Sequence, residues 1–94
     1  MPSTTTSNRF YYVYVLEGMA EDIRRYIGFT TDLRRRLQEH NAGKSFATAP
    51  RRPFKLIYYE ACLSKTDAIR RERYLKGTGG RRFLAKRLKD YLFT

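Results

Sequence analysis

Tyr26-Ile27-Gly28-Phe29-Thr30-Thr31-Asp32-Leu33-Arg34-Arg35-Arg36-Leu37-Gln38-Glu39-His40 is the stretch on which the fold of this chain turns. It reads as a short strand, a tight polar turn and a helix. Thr31 or Asp32 supplies an N-cap, and Gly43 supplies a stop beyond Asn41 or Ala42. Tyr26 and Gly28 fall on one face of the strand. A strand glycine marks close approach of a backbone or ligand, so Gly28 is expected to leave an open patch beside the Tyr26 ring.

Upstream, Phe10 to Leu16 is dense in aromatic and β-branched residues and predicts a strand. Alternation puts Tyr12, Tyr14 and Leu16 on one face, with Tyr11, Val13 and Val15 on the other. Glu17 to Asp22, with Gly18, is expected to turn the chain into a second strand over Arg24 to Phe29. Downstream, Ala42 to Pro53 is a loop rich in Gly, Ser, Thr and Pro. Phe54 to Tyr59 predicts a third strand. Ser64 or Thr66 caps a second helix, which carries Asp67 in its first turn and runs to about Lys76. Gly77, Gly79 and Gly80 are expected to break it. Arg81 to Phe93 predicts a last amphipathic helix with Leu84, Leu88, Tyr91 and Leu92 on one side. The order β-β-α-β-α-α describes an α+β domain, a small three-stranded antiparallel sheet flanked by helices. Residues 1–9 read as a disordered polar lead and 10–94 as one domain. No internal repeat is visible.

The chain has 94 residues, 41% of them hydrophobic, which allows one core. It carries 20 Lys and Arg against 9 Asp and Glu, a formal net charge of +11. That excess favours a polyanionic partner, nucleic acid first and an acidic membrane surface second. A single cysteine, Cys62, excludes an internal disulfide or a cysteine-rich zinc cluster and suits a reducing compartment. No apolar run approaches the roughly 20 residues that span a bilayer, and the first residues lack a secretory apolar region. A cytoplasmic protein is expected.

Several polar residues sit on apolar helix faces. With about 100° per residue and Leu33 at zero, Leu37 lies near 40°, His40 near −20° and Arg36 near −60°. Arg36 either lays its stem along apolar surface with its head in water, or faces a cleft and grips a phosphate with its fork. His40 is either a satisfied core histidine or a group that meets phosphate or moves a proton. On the second helix, Glu72 interrupts a stripe through Ala68, Ile69 and Leu75. A carboxylate there needs a partner, because stranding a charge costs on the order of several kcal/mol. That partner is an ion pair, Arg36 included, or a hard cation such as Mg²⁺ or Mn²⁺.

Those same residues carry a resemblance. The chain resembles the GIY-YIG endonuclease superfamily, in particular its small stand-alone bacterial members. Tyr12-Val13-Tyr14 stands for the first half of the name motif, and Tyr26-Ile27-Gly28 matches the second half literally. Arg36, His40 and Glu72 fall on the family's helix arginine, histidine and metal-binding glutamate, and the match covers roughly Phe10 to Lys76. The resemblance implies a metal-dependent endonuclease, a hydrolase of DNA phosphodiester bonds and a candidate for structure-selective cleavage. Its catalytic residues would be Tyr14, Tyr26, Arg36, His40 and Glu72. The tyrosines would orient or deprotonate water, Arg36 would hold the scissile phosphate, and Glu72 would ligate Mg²⁺ or Mn²⁺. Gly28 would keep the floor of the site open.

Two departures stand out. Tyr12 replaces the family glycine, and Gly77-Thr78-Gly79-Gly80 stands where many nuclease members place an asparagine. The second keeps open an alternative, a weak or inactive basic nucleic-acid-binding module. Candidate phosphate contacts in either case are Lys44, Arg51 and Arg52 in the long loop, and Arg81, Arg82, Lys86, Arg87 and Lys89 on the last helix.

Overall fold

A computed structural model describes residues 9–19 and 23–93 of the chain. The described elements are β1 (Tyr11–Gly18), β2 (Arg25–Thr30), α1 (Leu33–Asn41), β3 (Phe54–Cys62), α2 (Lys65–Lys76), α3 (Thr78–Arg87) and α4 (Lys89–Leu92), with a 3-10 turn at Ala49–Arg51. The strands form one antiparallel sheet in the order β2-β1-β3. The expected α+β architecture is therefore present, with β1 central and β2 at an edge.

Alternation along β1 divides the core between two sheet faces. Val13 packs with Ala68 and Leu75 of α2, alongside Ile27, Phe29, Phe83 and Leu84. Tyr14 and Leu16 pack with Phe54, Tyr26, Leu56 and the α1 residues Leu33 and Leu37. Each fully buried Leu or Val contributes roughly 1.5–3 kcal/mol. These contacts therefore fix the phase of both helices.

The helix starts follow their caps. Asp32 accepts a hydrogen bond from the Arg35 amide, and the Ser64 side chain accepts one from the Asp67 amide. Gly43 follows α1 with φ +79°, a left-handed conformation that suits glycine.

The boundaries differ from expectation where tertiary contacts outweigh local signals. Gly18 ends β1, paired with Phe54, rather than sitting in a turn. Of the turn expected to Asp22, residues 20–22 lie outside the described residues, as do 1–8 of the expected lead. β3 continues past Tyr59 to Cys62, because Glu60 opposite Val13 is held in a bidentate pair by Arg71 of α2, both bonds 2.8 Å. That guanidinium holds the Glu60 carboxyl below its usual range.

Only Gly77 interrupts the helices; Gly79 and Gly80 lie in the first turn of α3. A Cβ on Gly80 would collide with the Leu75 Cα and the Tyr74 carbonyl, so this glycine permits close packing of α3 on α2. The last helix is also not continuous. It breaks at Leu88, and α4 brings the Tyr91 hydroxyl to donate to Glu17 at 2.5 Å.

Gly80→Ala is expected to lower unfolding free energy by about 1–3 kcal/mol through overpacking. Gly79→Ala should cost less, since its Cβ would meet only the exposed Tyr74 ring. Denaturant titration of the two variants checks the ordering.

Candidate functional site

β1 and β2 pair Tyr14 with Gly28 and Leu16 with Tyr26. Cross-strand partners share a face, so both tyrosines stand on the α1 side of the sheet. Gly28 does not leave open space there. A Cβ on Gly28 would lie 2.5 Å from the Tyr14 hydroxyl oxygen and 2.8 Å from its Cζ. The missing side chain is instead the slot for the Tyr14 phenol, which is 4% exposed.

The hydroxyl end of Tyr14 joins α1. Arg36 Nε donates to it at 3.3 Å, and His40 Nε2 lies 3.1 Å away. His40 Nδ1 is 2.7 Å from Thr48 Oγ1, and Thr48 Oγ1 is 3.5 Å from the Ser45 carbonyl oxygen. The donor inventory orders this chain. Arg36 only donates, so the single Tyr14 proton is directed to His40 Nε2. His40 then carries its proton on Nδ1 and donates to Thr48, which donates to Ser45. Burial, with the Arg36 charge beside it, pushes the His40 pKa below its ordinary value. The ring, 4% exposed, is thus a neutral acceptor facing Tyr14.

Arg36 is held from the other side by Glu39, Nη1 to Oε1 3.0 Å. Its pKa is raised, first by the bond to Tyr14 and then by Glu39 against the opposing effect of burial. Tyr26 stacks edge-on against Phe54, with ring centres 5.3 Å apart. Glu72 pairs with Lys76 at 3.4 Å, and its side chain is 18% exposed. Arg36 and Glu72 therefore have different partners, and no ion pair joins them among the described residues.

A groove of about 810 Å³ is lined by Tyr14, Tyr26, Arg36, His40 and Glu72 together, and also by Gly28, Lys76 and Arg81. The five residues proposed from the sequence as catalytic thus meet in one cavity. Of the eight proposed phosphate contacts, Arg81 lines it. Lys44, Arg51, Arg52, Arg82, Lys86, Arg87 and Lys89 do not. Arg52 sits over Gly43, and the Arg87 charge lies near Tyr58 on the α2 face of the sheet. Thr48, Glu39 and Lys76 were not singled out by sequence. Glu39 and Lys76 were open to a helix-spacing test, three after Arg36 and four after Glu72. Thr48 gave no signal, being one hydroxyl in a loop of many.

The sequence profile described as the GIY-YIG catalytic domain matches residues 10–91. The chain belongs to the GIY-YIG family. A UPF0213 protein of Streptococcus pneumoniae is 50% identical over 66 residues, which cover 69% of this chain and 65% of that protein. A UPF0213 protein of Haloquadratum walsbyi is 39% identical over 70 residues, covering 73% and 76%. The solution structure of a Bacillus halodurans UPF0213 protein aligns at 36% identity with a TM-score of 0.49, covering 82% of this chain and 83% of that one. No helix among the described residues is long and apolar enough to cross a membrane.

As a GIY-YIG chain, the protein can be tested for its fit to a divalent ion. Among the described residues, no group of three or more His, Cys, Asp or Glu converges. Mg²⁺ commonly uses one or two carboxylates and completes its shell with water and phosphate oxygens. Glu72, half-buried in the groove wall and paired only with a surface lysine, fits that donor set.

Gly28→Ala is expected to push the Tyr14 hydroxyl off Arg36 and His40 and to destabilise the fold by about 1–3 kcal/mol. Tyr14→Phe should relieve part of that cost. A double-mutant cycle should then give a coupling of about 0.5–3 kcal/mol, and strict additivity would refute the contact.

Because the folded His40 pKa is depressed, the unfolded chain binds the proton more readily. Its contribution to stability is whole above the unfolded value of 6.5 and is lost as pH falls through the folded value. Denaturation curves between about pH 7.5 and about 5.5 should show a loss that His40→Gln lacks.

Proposed function

We propose that the protein is a divalent-metal-dependent endonuclease that hydrolyses phosphodiester bonds in DNA. The observation that carries this reading is the convergence of Tyr14, Tyr26, Arg36, His40 and Glu72 in one groove of a strongly basic chain. Membership of a family whose profile is described as a catalytic domain supports it.

Arg36 offers a delocalised cation to a scissile phosphate. Its present partner Glu39 is 30% exposed, a pair worth roughly 0–1 kcal/mol, so a phosphate oxygen can displace it. The Tyr14–His40 contact supplies a proton path. Water loses a proton to the Tyr14 oxygen as the Tyr14 proton passes to His40 Nε2, and the water oxygen attacks phosphorus while the ester oxygen leaves. His40 can accept that proton because it is held neutral. The Tyr26 hydroxyl has no hydrogen-bond partner among the described residues and is free to orient the water. Glu72 would hold Mg²⁺ or Mn²⁺ after releasing Lys76. The bound ion would supply charge stabilisation at a phosphoryl oxygen and a lowered pKa for a coordinated water. Arg81 in the groove wall adds a second positive charge toward the backbone.

The rival reading, a basic binding module without turnover, rests on Gly77-Thr78-Gly79-Gly80 following the Glu72 helix with no asparagine. Branched, single-stranded and duplex DNA incubated with Mg²⁺, Mn²⁺ or EDTA separates the two. Cleavage is expected only with metal. Glu72→Ala and Tyr26→Phe should each lower it by about 10²-fold or more while the circular dichroism spectrum is kept. Cleavage that survives both substitutions overturns the assignment. Salt-sensitive binding with no cleavage selects the rival.

A further inference from the structure

Phe46 is 95% exposed, the most exposed of the large hydrophobic residues described. Single exposed apolar side chains are common and need no explanation in themselves. This one has an unusual seat. Its neighbours Ser45, Ala47 and Thr48 line the groove that holds the five site residues. The turn around it is closed by backbone bonds from the amides of Thr48 and Ala49 to the Ser45 carbonyl, 3.1 and 2.9 Å. Its far end is tied to His40 through Thr48. Phe46 is therefore presented at the tip of a bonded turn, at the mouth of the groove. Lys44 precedes it, and Arg51 and Arg52 follow it, in the same basic loop.

From this juxtaposition we infer that Phe46 stacks on an unpaired nucleobase next to the phosphate held in the groove, selecting single-stranded or distorted DNA. The inference rests on the reading of the groove as a DNA phosphate site. The chemistry follows from the nucleotide itself. A phosphate bound beside Arg36 carries its sugar and base to the groove rim, where an aromatic face meets them. Aromatic stacking is tolerant of base identity, and apolar wedges enter DNA where bases are already unstacked. Inside an intact duplex the base is covered by its neighbours, and Phe46 finds no face to meet. The net charge of +11 favours this occupant over an apolar protein surface.

The test uses an oligonucleotide carrying the fluorescent adenine analogue 2-aminopurine, single-stranded or in a duplex, with EDTA present so that binding is read without cleavage. The wild-type chain is expected to quench the single strand more than the duplex. Phe46→Ala should bind the single strand on the order of tenfold more weakly and lose the quench. Phe46→Tyr should restore both. The exposed position leaves the melting curve of each variant unchanged. Quench and affinity retained in Phe46→Ala overturn the inference. So does a change in sedimentation of that variant with DNA affinity unaltered, which assigns Phe46 to a protein contact. A Phe46-dependent quench without metal-dependent cutting of any DNA sustains the stacking site and defeats the nuclease reading. Glu72-dependent cutting with a normal quench in Phe46→Ala does the reverse. A chain that binds no DNA defeats both.

Discussion

The Tyr14 hydroxyl, buried over Gly28 between Arg36 and His40, is the contact on which the rest of the site depends. A buried phenol without partners would carry the full cost of its desolvation. Its satisfaction requires three separate pieces of chain. β2 must place a glycine opposite Tyr14, because any Cβ would displace the ring. α1 must present Arg36 and His40, one turn apart, at its inner edge. The loop after α1 must return with Thr48, since His40 Nδ1 would otherwise be stranded. Packing of Leu33 and Leu37 against Tyr14 and Leu16 sets the helix phase that makes this possible. The core and the hydrogen-bond chain thus specify the same geometry, as a well-determined local structure requires.

The resting electrostatics of the groove are balanced by weak partners. Glu39 holds Arg36, and Lys76 holds Glu72, each from within its own helix. Such pairs are easily exchanged, because both ends are partly solvated. A polyanion entering the groove takes the place of Glu39 at Arg36. The Arg71–Glu60 pair differs: it is bidentate, part-buried and stacked on Phe83, with the guanidinium carbon 4.5 Å from the ring centre. It ties α2 to β3 and leaves Glu72, the next residue along, to face the groove. Two adjacent charges on one helix thereby have separate duties, one in holding the fold and one in the cavity.

The strands and helices were readable from sequence because each follows local rules: alternation in β1, caps at Asp32 and Ser64, the stop near Gly43. Helical phase also sufficed to place Arg36 and His40 beside the Leu33 and Leu37 stripe. The failures share a cause. The open space expected at Gly28 is filled; sequence gives no hint of which ring will cover a glycine. The break expected at Gly79 and Gly80 is absent; a glycine required for helix contact looks, one residue at a time, like a glycine that ends a helix. The extension of β3 through Glu60 depended on Arg71, 11 residues away in sequence. The break at Leu88 accompanies docking of Tyr91 on Glu17, a contact 74 residues apart. Thr48 belongs to the same class. It is one hydroxyl among several, distinguished only by the histidine that the fold brings to it.

The position of β2 explains how one groove collects residues from both sides of a sheet. Tyr26 and Gly28 face α1, while Ile27 and Phe29 face α2, yet all four line the cavity together with Arg36 from one helix and Glu72 from the other. A cavity can wrap around a strand only where no further strand continues the sheet, and β2 is such an edge. Had β2 been central, the tyrosines and Glu72 would have been divided by a continuous hydrogen-bonded layer. The two edges are therefore not equivalent. β3 carries the Arg71–Glu60 clamp on the face that β2 uses for the groove wall near Glu72. The alternating Tyr-Ile-Gly-Phe pattern then acquires a physical meaning. Its even-numbered positions supply the Tyr26 phenol and the slot for the Tyr14 ring, its odd-numbered positions anchor α2, and the edge between them is where the two half-sites meet.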